Sequence, residues 1–216
     1  MRRAIAAGVV GLARILAGGS VRCLGCEFDS RQRIYFANHT SHLDFVLVWS
    51  ALPRSLRALT RPVAAKDYWD RAGLRRYLVA NVFNAVLVER VAQTLLSVPA
   101  QTGVPVPHRK DPIEILLEGL GERHSLIIFP EGTRGNGVQL GPFRSGLYRL
   151  GKARPDVELV PVYIDNLNRV LPKGEFVPVP MLASVSFGAP MRVEIGEEKD
   201  PFLERARSAI LELRRW

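Results

Sequence analysis

Three short apolar runs, each stopping at a polar cluster, constrain this chain more than any other feature. "RQRIYFA" at 31–37 stops at "NHTSHLD", "AVLVE" at 85–89 stops at Arg90, and "SLIIF" at 125–129 stops at "PEGTRGNG". "VELVPVYI" at 157–164, and later "ASVSFGAP" and "RVEIG", continue the series. Short runs rich in apolar, β-branched and aromatic residues, bounded by turn formers, read as strands. Segments of helical character separate them. "DFVLVWSAL" runs on from the first cluster until Pro53 stops it. Residues 54–83 give a strand, "RPVAA", and then a helix. Pro112–Leu120 and "SGLYRLGKA" read as helices. Asp200-Pro201 opens a last helix, with Asp at the cap and Pro at the first position. Its apolar positions 202, 203, 206, 209, 210 and 213 form one stripe. Residues 97–110, with three prolines and no period, read as a loop. Strands alternating with helices specify an α/β fold: a single domain with a mixed, largely parallel central sheet flanked by helices.

In a parallel sheet the strands end on one edge, and α/β folds put ligands there. His39, Asp44, Arg90, Glu131 and Arg134 are therefore expected to line one cleft. Gly132 lets backbone approach a ligand closely. Ser41 and Asp44 also fit a capping box, with Ser41 as N-cap and Asp44 three residues on. That box needs no function, and it leaves His39 unexplained. A metal site is not expected. The spacing H-x-x-H-x-D differs from both H-x-H-x-D-H and H-E-x-x-H, and only His108 and His124 remain to complete a set. His42 reads as a bystander on the first helical turn.

The chain has 216 residues, which fits one domain, and 47% are hydrophobic, enough for a buried core. Two cysteines exclude a disulfide scaffold. Cys23 and Cys26 read as small apolar side chains. Charge is unevenly placed: residues 1–110 carry 16 Lys and Arg against 6 Asp and Glu, while 111–216 carry 14 against 15. A basic half implies an anionic partner. No nucleic-acid module is visible, which leaves acidic lipid or a phosphorylated substrate. Residues 1–25 are expected to form an N-terminal membrane-associated helix, with the main domain at 26–216. Ala4 to Val21 would span about 27 Å as a helix, slightly short of a hydrocarbon core of about 30 Å. Arg3 and Arg14 fall on nearly the same face, with Arg2 beside it, the pattern of a helix lying in the interface. The arginines and aromatics of 54–83, including Tyr68, Trp69, Tyr77 and Phe83, suggest a second membrane-facing patch.

In series, the motifs resemble the lysophosphatidate acyltransferase family of glycerolipid acyltransferases. Asn38, His39, Ser41 and Asp44 match its N-H-x-S-x-x-D motif. Phe129–Arg134 match F-P-E-G-T-R. Phe143, Arg144 and Gly146 match F-[KR]-x-G, and Val160-Pro161-Val162 match V-P-[VI]. Of G-x-x-x-x-x-R, Arg90 is kept and Asn84 stands where glycine is expected. The resemblance implies an O-acyltransferase domain. It would move a fatty acyl group from an acyl thioester (acyl-CoA or acyl carrier protein) to the hydroxyl of a lysophospholipid, most simply lysophosphatidate. No G-x-S-x-G elbow occurs, so transfer is expected to be direct. His39 would be the general base and Asp44 its orienting partner. Arg90, Glu131, Gly132, Thr133 and Arg134 would form the substrate-binding set, with the arginines on phosphate and Glu131 holding Arg134 or the loop, or accepting from a glycerol hydroxyl. Val160-Pro161-Val162 would shape the cleft floor. No cofactor is implied beyond the thioester co-substrate. The implied place is the cytoplasmic face of a membrane, such as a bacterial inner membrane, as a peripheral or monotopic protein on an anionic surface. A lyso-ornithine lipid is an alternative acceptor, and a non-catalytic lipid-binding scaffold an alternative role.

Overall fold

The computed structural model describes residues 20–41, 43–69, 73–89, 110–135, 137, 139–165 and 183–215, together with Ile5, Gly8 and Gly11. Those three isolated positions are helical; the rest of the expected N-terminal helix lies outside the described residues. So do Arg90, His42, the 97–109 segment and the side chain of Tyr68.

All but one of the expected runs become strands. The strands are β1 (Ser20–Cys23), β2 (Arg33–Ala37), β3 (Thr60–Ala65), β4 (Val86–Val88), β5 (Ser125–Ile128), β6 (Glu158–Asp165) and β7 (Ser184–Phe187). They form one sheet in the order β1-β7-β6-β2-β5-β3-β4. Neighbours are parallel except β6 and β7. The mixed, largely parallel α/β sheet is thus the expected one.

Side-chain alternation along β2 explains the layers. Tyr35 and Ala37 face one core, packed by Phe45, Val48, Trp49 and Leu52 of helix α1 (Asp44–Ala51) and the residue after it. Ile34 and Phe36 face the other core. There they meet the apolar stripes of α5 (Pro112–Leu120), α6 (Gly146–Ala153) and α7 (Lys199–Leu213). Between α1 and α5 lie three one-turn helices, α2 (Arg54–Arg57), α3 (Lys66–Trp69) and α4 (Leu74–Tyr77), and a π-helical turn at Leu78–Val82. Leu52 is extended at φ −68°, ψ 148°, the conformation a following proline imposes. That ends α1 where Pro53 was expected to end it. Asp111 caps α5 by accepting from the Ile113 N–H at 2.9 Å, with Pro112 in the first turn.

Four expectations are corrected. "RVEIG" is not a strand: Met191 makes one bridge to Leu159, and the chain then turns through Gly196 at φ 80°. The last helix begins two residues early, at Lys199, so Pro201 sits in the first turn, where its missing N–H costs nothing. Cys23 is exposed on β1, a strand the apolar runs did not reveal; Cys26 is buried. Of the aromatics of 54–83, Phe83 and Trp69 turn inward. Phe83 packs on Phe45 and Trp49 with ring centroids 5.0 and 5.1 Å away, and Trp69 meets Phe45 at 5.1 Å.

Candidate active site

β2 lies between β6 and β5, with Phe36 opposite Ile128 and Ala37 opposite Val162. The chain leaves β2 toward β3 on one side and crosses from β5 to β6 on the other. This is the switch point at which an α/β sheet opens a crevice. The residues after β2 and β5 must meet there, which brings "NHTSHLD" and "FPEGTR" together.

Asn38 locks the end of β2 in place. Its amide donates to the Ile164 carbonyl at 2.9 Å and accepts from the Ile164 N–H at 2.7 Å. His39 follows. Its ring stacks on Phe129 with centroids 4.3 Å apart and planes at 22°. Its Nδ1 lies 2.7 Å from Asp44 Oδ2. Asp44 is fully buried. The same Oδ2 accepts the N–H groups of Thr40 at 2.6 Å and Ser41 at 2.9 Å. A carboxylate can only accept, so Nδ1 carries the proton and the Nε2 lone pair is left for chemistry. Asp44 Oδ1 is buried without a hydrogen-bond partner among the described residues.

The capping box and the histidine pair are therefore the work of one carboxylate. The Asp44–Ser41 bond is one half of such a box. The other half is shifted: Ser41 Oγ accepts from Leu43 at 3.3 Å instead of Asp44, and Leu43 is the cap residue. The turn fixes Asp44, and Asp44 fixes the ring.

Glu131 is buried and clamps His39 from the other side. Its Oε1 accepts the His39 N–H at 2.8 Å, and its Oε2 accepts the Gly141 N–H at 2.9 Å. The His39 carbonyl in turn accepts the Gly135 N–H at 2.8 Å. Both sides of the His39 backbone are thus tied to the 131–141 loop. Gly132 has φ 71°, and a Cβ there would lie 2.5 Å from Arg144 Nε. Arg144 lies across the backbone where a side chain would otherwise stand.

An open cleft of about 1420 Å³ runs between this loop and α7. Thr133, Arg134, Arg144 and, from α7, Arg207 line it. Thr40, Glu131, Gly135, Gln139 and Leu140 line both this cleft and a neighbouring cavity of about 40 Å³ that His39 and Asn38 also line. Of the expected site residues, the structure thus gathers His39, Asp44, Glu131, Thr133 and Arg134, with Gly132 between the last three. Val160 and Val162 line neither space; both are wholly buried in the core against α1. Asn84 takes φ 49°, the left-handed conformation that glycine enters freely and asparagine tolerates. Its place in a glycine position is thereby explained. Arg144 and Arg207 were not singled out as ligands from sequence. Arg144 had its motif as a signal, but Arg207 had only a helix surface to recommend it.

Among the described residues, no three His, Cys, Asp or Glu side chains are grouped to hold a metal ion. The fold resembles the crystal structure of the 1-acyl-sn-glycerophosphate (LPA) acyltransferase PlsC from Thermotoga maritima. The TM-score is 0.68 at 20% identity, covering 100% of this chain and 82% of that one. The 1-acyl-sn-glycerol-3-phosphate acyltransferases of Cocos nucifera and Limnanthes alba are each 24% identical over 185 residues, 85% of this chain. The chain spans 54% and 59% of the length of those two relatives. The model of the Acyltransferase family matches residues 26–165. That match runs from the turn before β2 to the last residue of β6 and takes in both strand-end clusters, so the chain belongs to the Acyltransferase family.

Proposed function

We propose that the protein acylates lysophosphatidate to phosphatidate, using a fatty acyl thioester as donor and His39 as general base. The observation that carries this reading is the 2.7 Å contact between His39 Nδ1 and the buried Asp44, set beside the FPEGTR loop. The acceptor hydroxyl gives its proton to His39 Nε2 as its oxygen attacks the thioester carbonyl. The tetrahedral oxyanion collapses, the C–S bond breaks, and the imidazolium returns the proton to the leaving thiolate. An ester and a free thiol result, and nothing else is consumed. This is a Ser-His-Asp relay in which the substrate alcohol replaces serine. The base supplies about 10²–10⁴-fold of the acceleration; positioning by the cleft supplies more. Arg134 serves the acceptor phosphate, with Thr133 as a hydroxyl donor.

No helix among the described residues is long and apolar enough to cross a membrane. A peripheral or monotopic seat on an anionic cytoplasmic surface fits the charge of residues 1–110. The test is thiol release and lipid mass spectrometry with purified protein, acyl-CoA or acyl carrier protein, and lysophosphatidate. Wild type forms phosphatidate, and His39→Ala loses about 10³-fold or more, within the range seen when a triad base is removed. Liposome binding without turnover on any lysolipid would instead identify a scaffold.

A further inference from the structure

Three arginines line the cleft, Arg134, Arg144 and Arg207, alongside three carboxylates, Glu131, Asp200 and Glu204. Arg134 and Arg144 line it, and among the described residues neither guanidinium has a hydrogen-bond or ion-pair partner. Arg207 reaches the same cleft from α7, beyond the residues matched by the family model. It is held in place: Nε and Nη2 donate to the Leu140 carbonyl at 3.3 and 3.0 Å. Its remaining arm, Nη1, touches Glu204 at 3.2 Å. Glu204 is 68% exposed, so that pair is weak and readily exchanged for a stronger anion. Arg144 is exposed and lies over Gly132, where an added Cβ would meet it. Of the cleft's carboxylates, Glu131 already accepts from two backbone N–H groups and Asp200 is paired with Lys199. Neither cancels Arg144.

We propose that Arg144 and Arg207 form a second anion subsite beside Arg134, which takes a phosphate group when substrates bind. The proposal rests on the acyl-transfer reading for its choice of ligands. A planar fork fixed by its surroundings, as Arg207 is, loses little freedom on binding, and both forks match phosphate geometry. The phosphate has two possible sources, the nucleotide tail of the acyl-CoA donor and the head of the lysolipid.

Two measurements separate the sources and separate this proposal from the one it rests on. Equilibrium binding is read by calorimetry with CoA, adenosine 3′,5′-bisphosphate and sn-glycerol 3-phosphate, none of which can react. Steady-state KM is read for acyl-CoA and for lysophosphatidate. Arg207→Ala and Arg144→Ala should each weaken one ligand class about tenfold, since a hydrogen bond to a charged group is worth that much or more. The ligand whose Kd and KM move together names the source. Arg207→Lys should recover part of the loss. Lys110→Gln, which removes an exposed charge remote from the cleft, should change neither constant. Thermal unfolding confirms that the variants are folded. Changes below twofold for both ligand classes in the Arg144→Ala/Arg207→Ala double variant overturn the subsite. Loss of nucleotide or glycerol phosphate binding in that variant, from a wild type with no acyl transfer, upholds the subsite and overturns the enzymatic reading.

Discussion

β2 and β6 pair from Arg33 with Glu158 through Ala37 with Val162; buried charge lies in the strands at their starts and on α1 just past the end of β2. At their starts the charge is closed. Arg33 is wholly buried; its Nε reaches Glu158 Oε2 at 3.0 Å, its Nη1 the Glu27 carbonyl at 2.6 Å and its Nη2 Asp29 at 3.0 Å. Arg31 takes the other oxygen of Glu158 at 2.7 Å. At the other end the charge is left open. One oxygen of Asp44 accepts three times and the other has no partner among the described residues, and among those residues the guanidinium groups of Arg134 and Arg144, which line the cleft, have none either. Buried polar groups are normally satisfied. The two ends of one strand pair thus differ, and on the reading proposed above the open end is where a substrate completes the set.

The contrast should break most visibly in activity. In Asp44→Asn the amide oxygen can still accept from Thr40 and Ser41, and the shape is kept. The charge that holds the histidine tautomer and steadies the imidazolium is lost. Activity should fall about 10³–10⁴-fold, the scale seen when the acid of such a relay becomes an amide, with the urea midpoint shifted far less than for the next variant. An equal collapse of stability would mean that Asp44 is chiefly a helix cap. Arg33→Met should do the opposite. It leaves buried Glu158 with only the exposed Arg31 as a close partner, which costs up to about 3–5 kcal/mol of stability, measured by urea unfolding. Activity per folded molecule should stay within about threefold, as this cluster lies a full strand, about 16 Å, from the chemistry. Restoration of stability in Arg33→Met/Glu158→Leu would show that the pair is replaceable by apolar packing.

Much of this was legible in the sequence because it is local. The apolar runs became strands, Pro53 and Pro112 set helix boundaries, and the clusters after 37 and 128 were found where strands end. The His39–Asp44 contact spans five residues and could be read directly. What escaped was set by contacts between distant parts of the chain. Arg33 and Glu158 are 125 residues apart, and only the order of the sheet makes them neighbours. A loop-holding role was one reading of Glu131, but nothing local shows that its oxygens face the N–H groups of His39 and Gly141. Arg207 reads as one more exposed helix arginine until α7 is laid along the cleft. The inward turn of Phe83 and Trp69 follows from an irregular path through 66–83, which no periodicity encodes.

The smallest effect tests the closed end from its exposed rim. Asp29 Oδ2 is shared by Arg31 and Arg33. The Arg31 hydrogen bond, aided by the Arg33 charge, holds its carboxyl at about 2, below the ordinary carboxylate range. A carboxyl whose pKa is lower in the folded state binds protons more readily when unfolded. Its stabilising contribution is therefore complete above the ordinary value of about 3.9, and it is lost as pH falls toward about 2. Asp29→Asn should lower the urea midpoint slightly at pH 7, and the two proteins should converge as pH approaches that value. Solvent reaches about a third of the side chain, 34% exposed, so the separation is small. Parallel curves from pH 6 to pH 2 would mean that Arg33 is neutralised by Glu158 alone. Convergence, with turnover at pH 7 unchanged, would show that this end of the strand pair serves only to hold β2 and β6 in register.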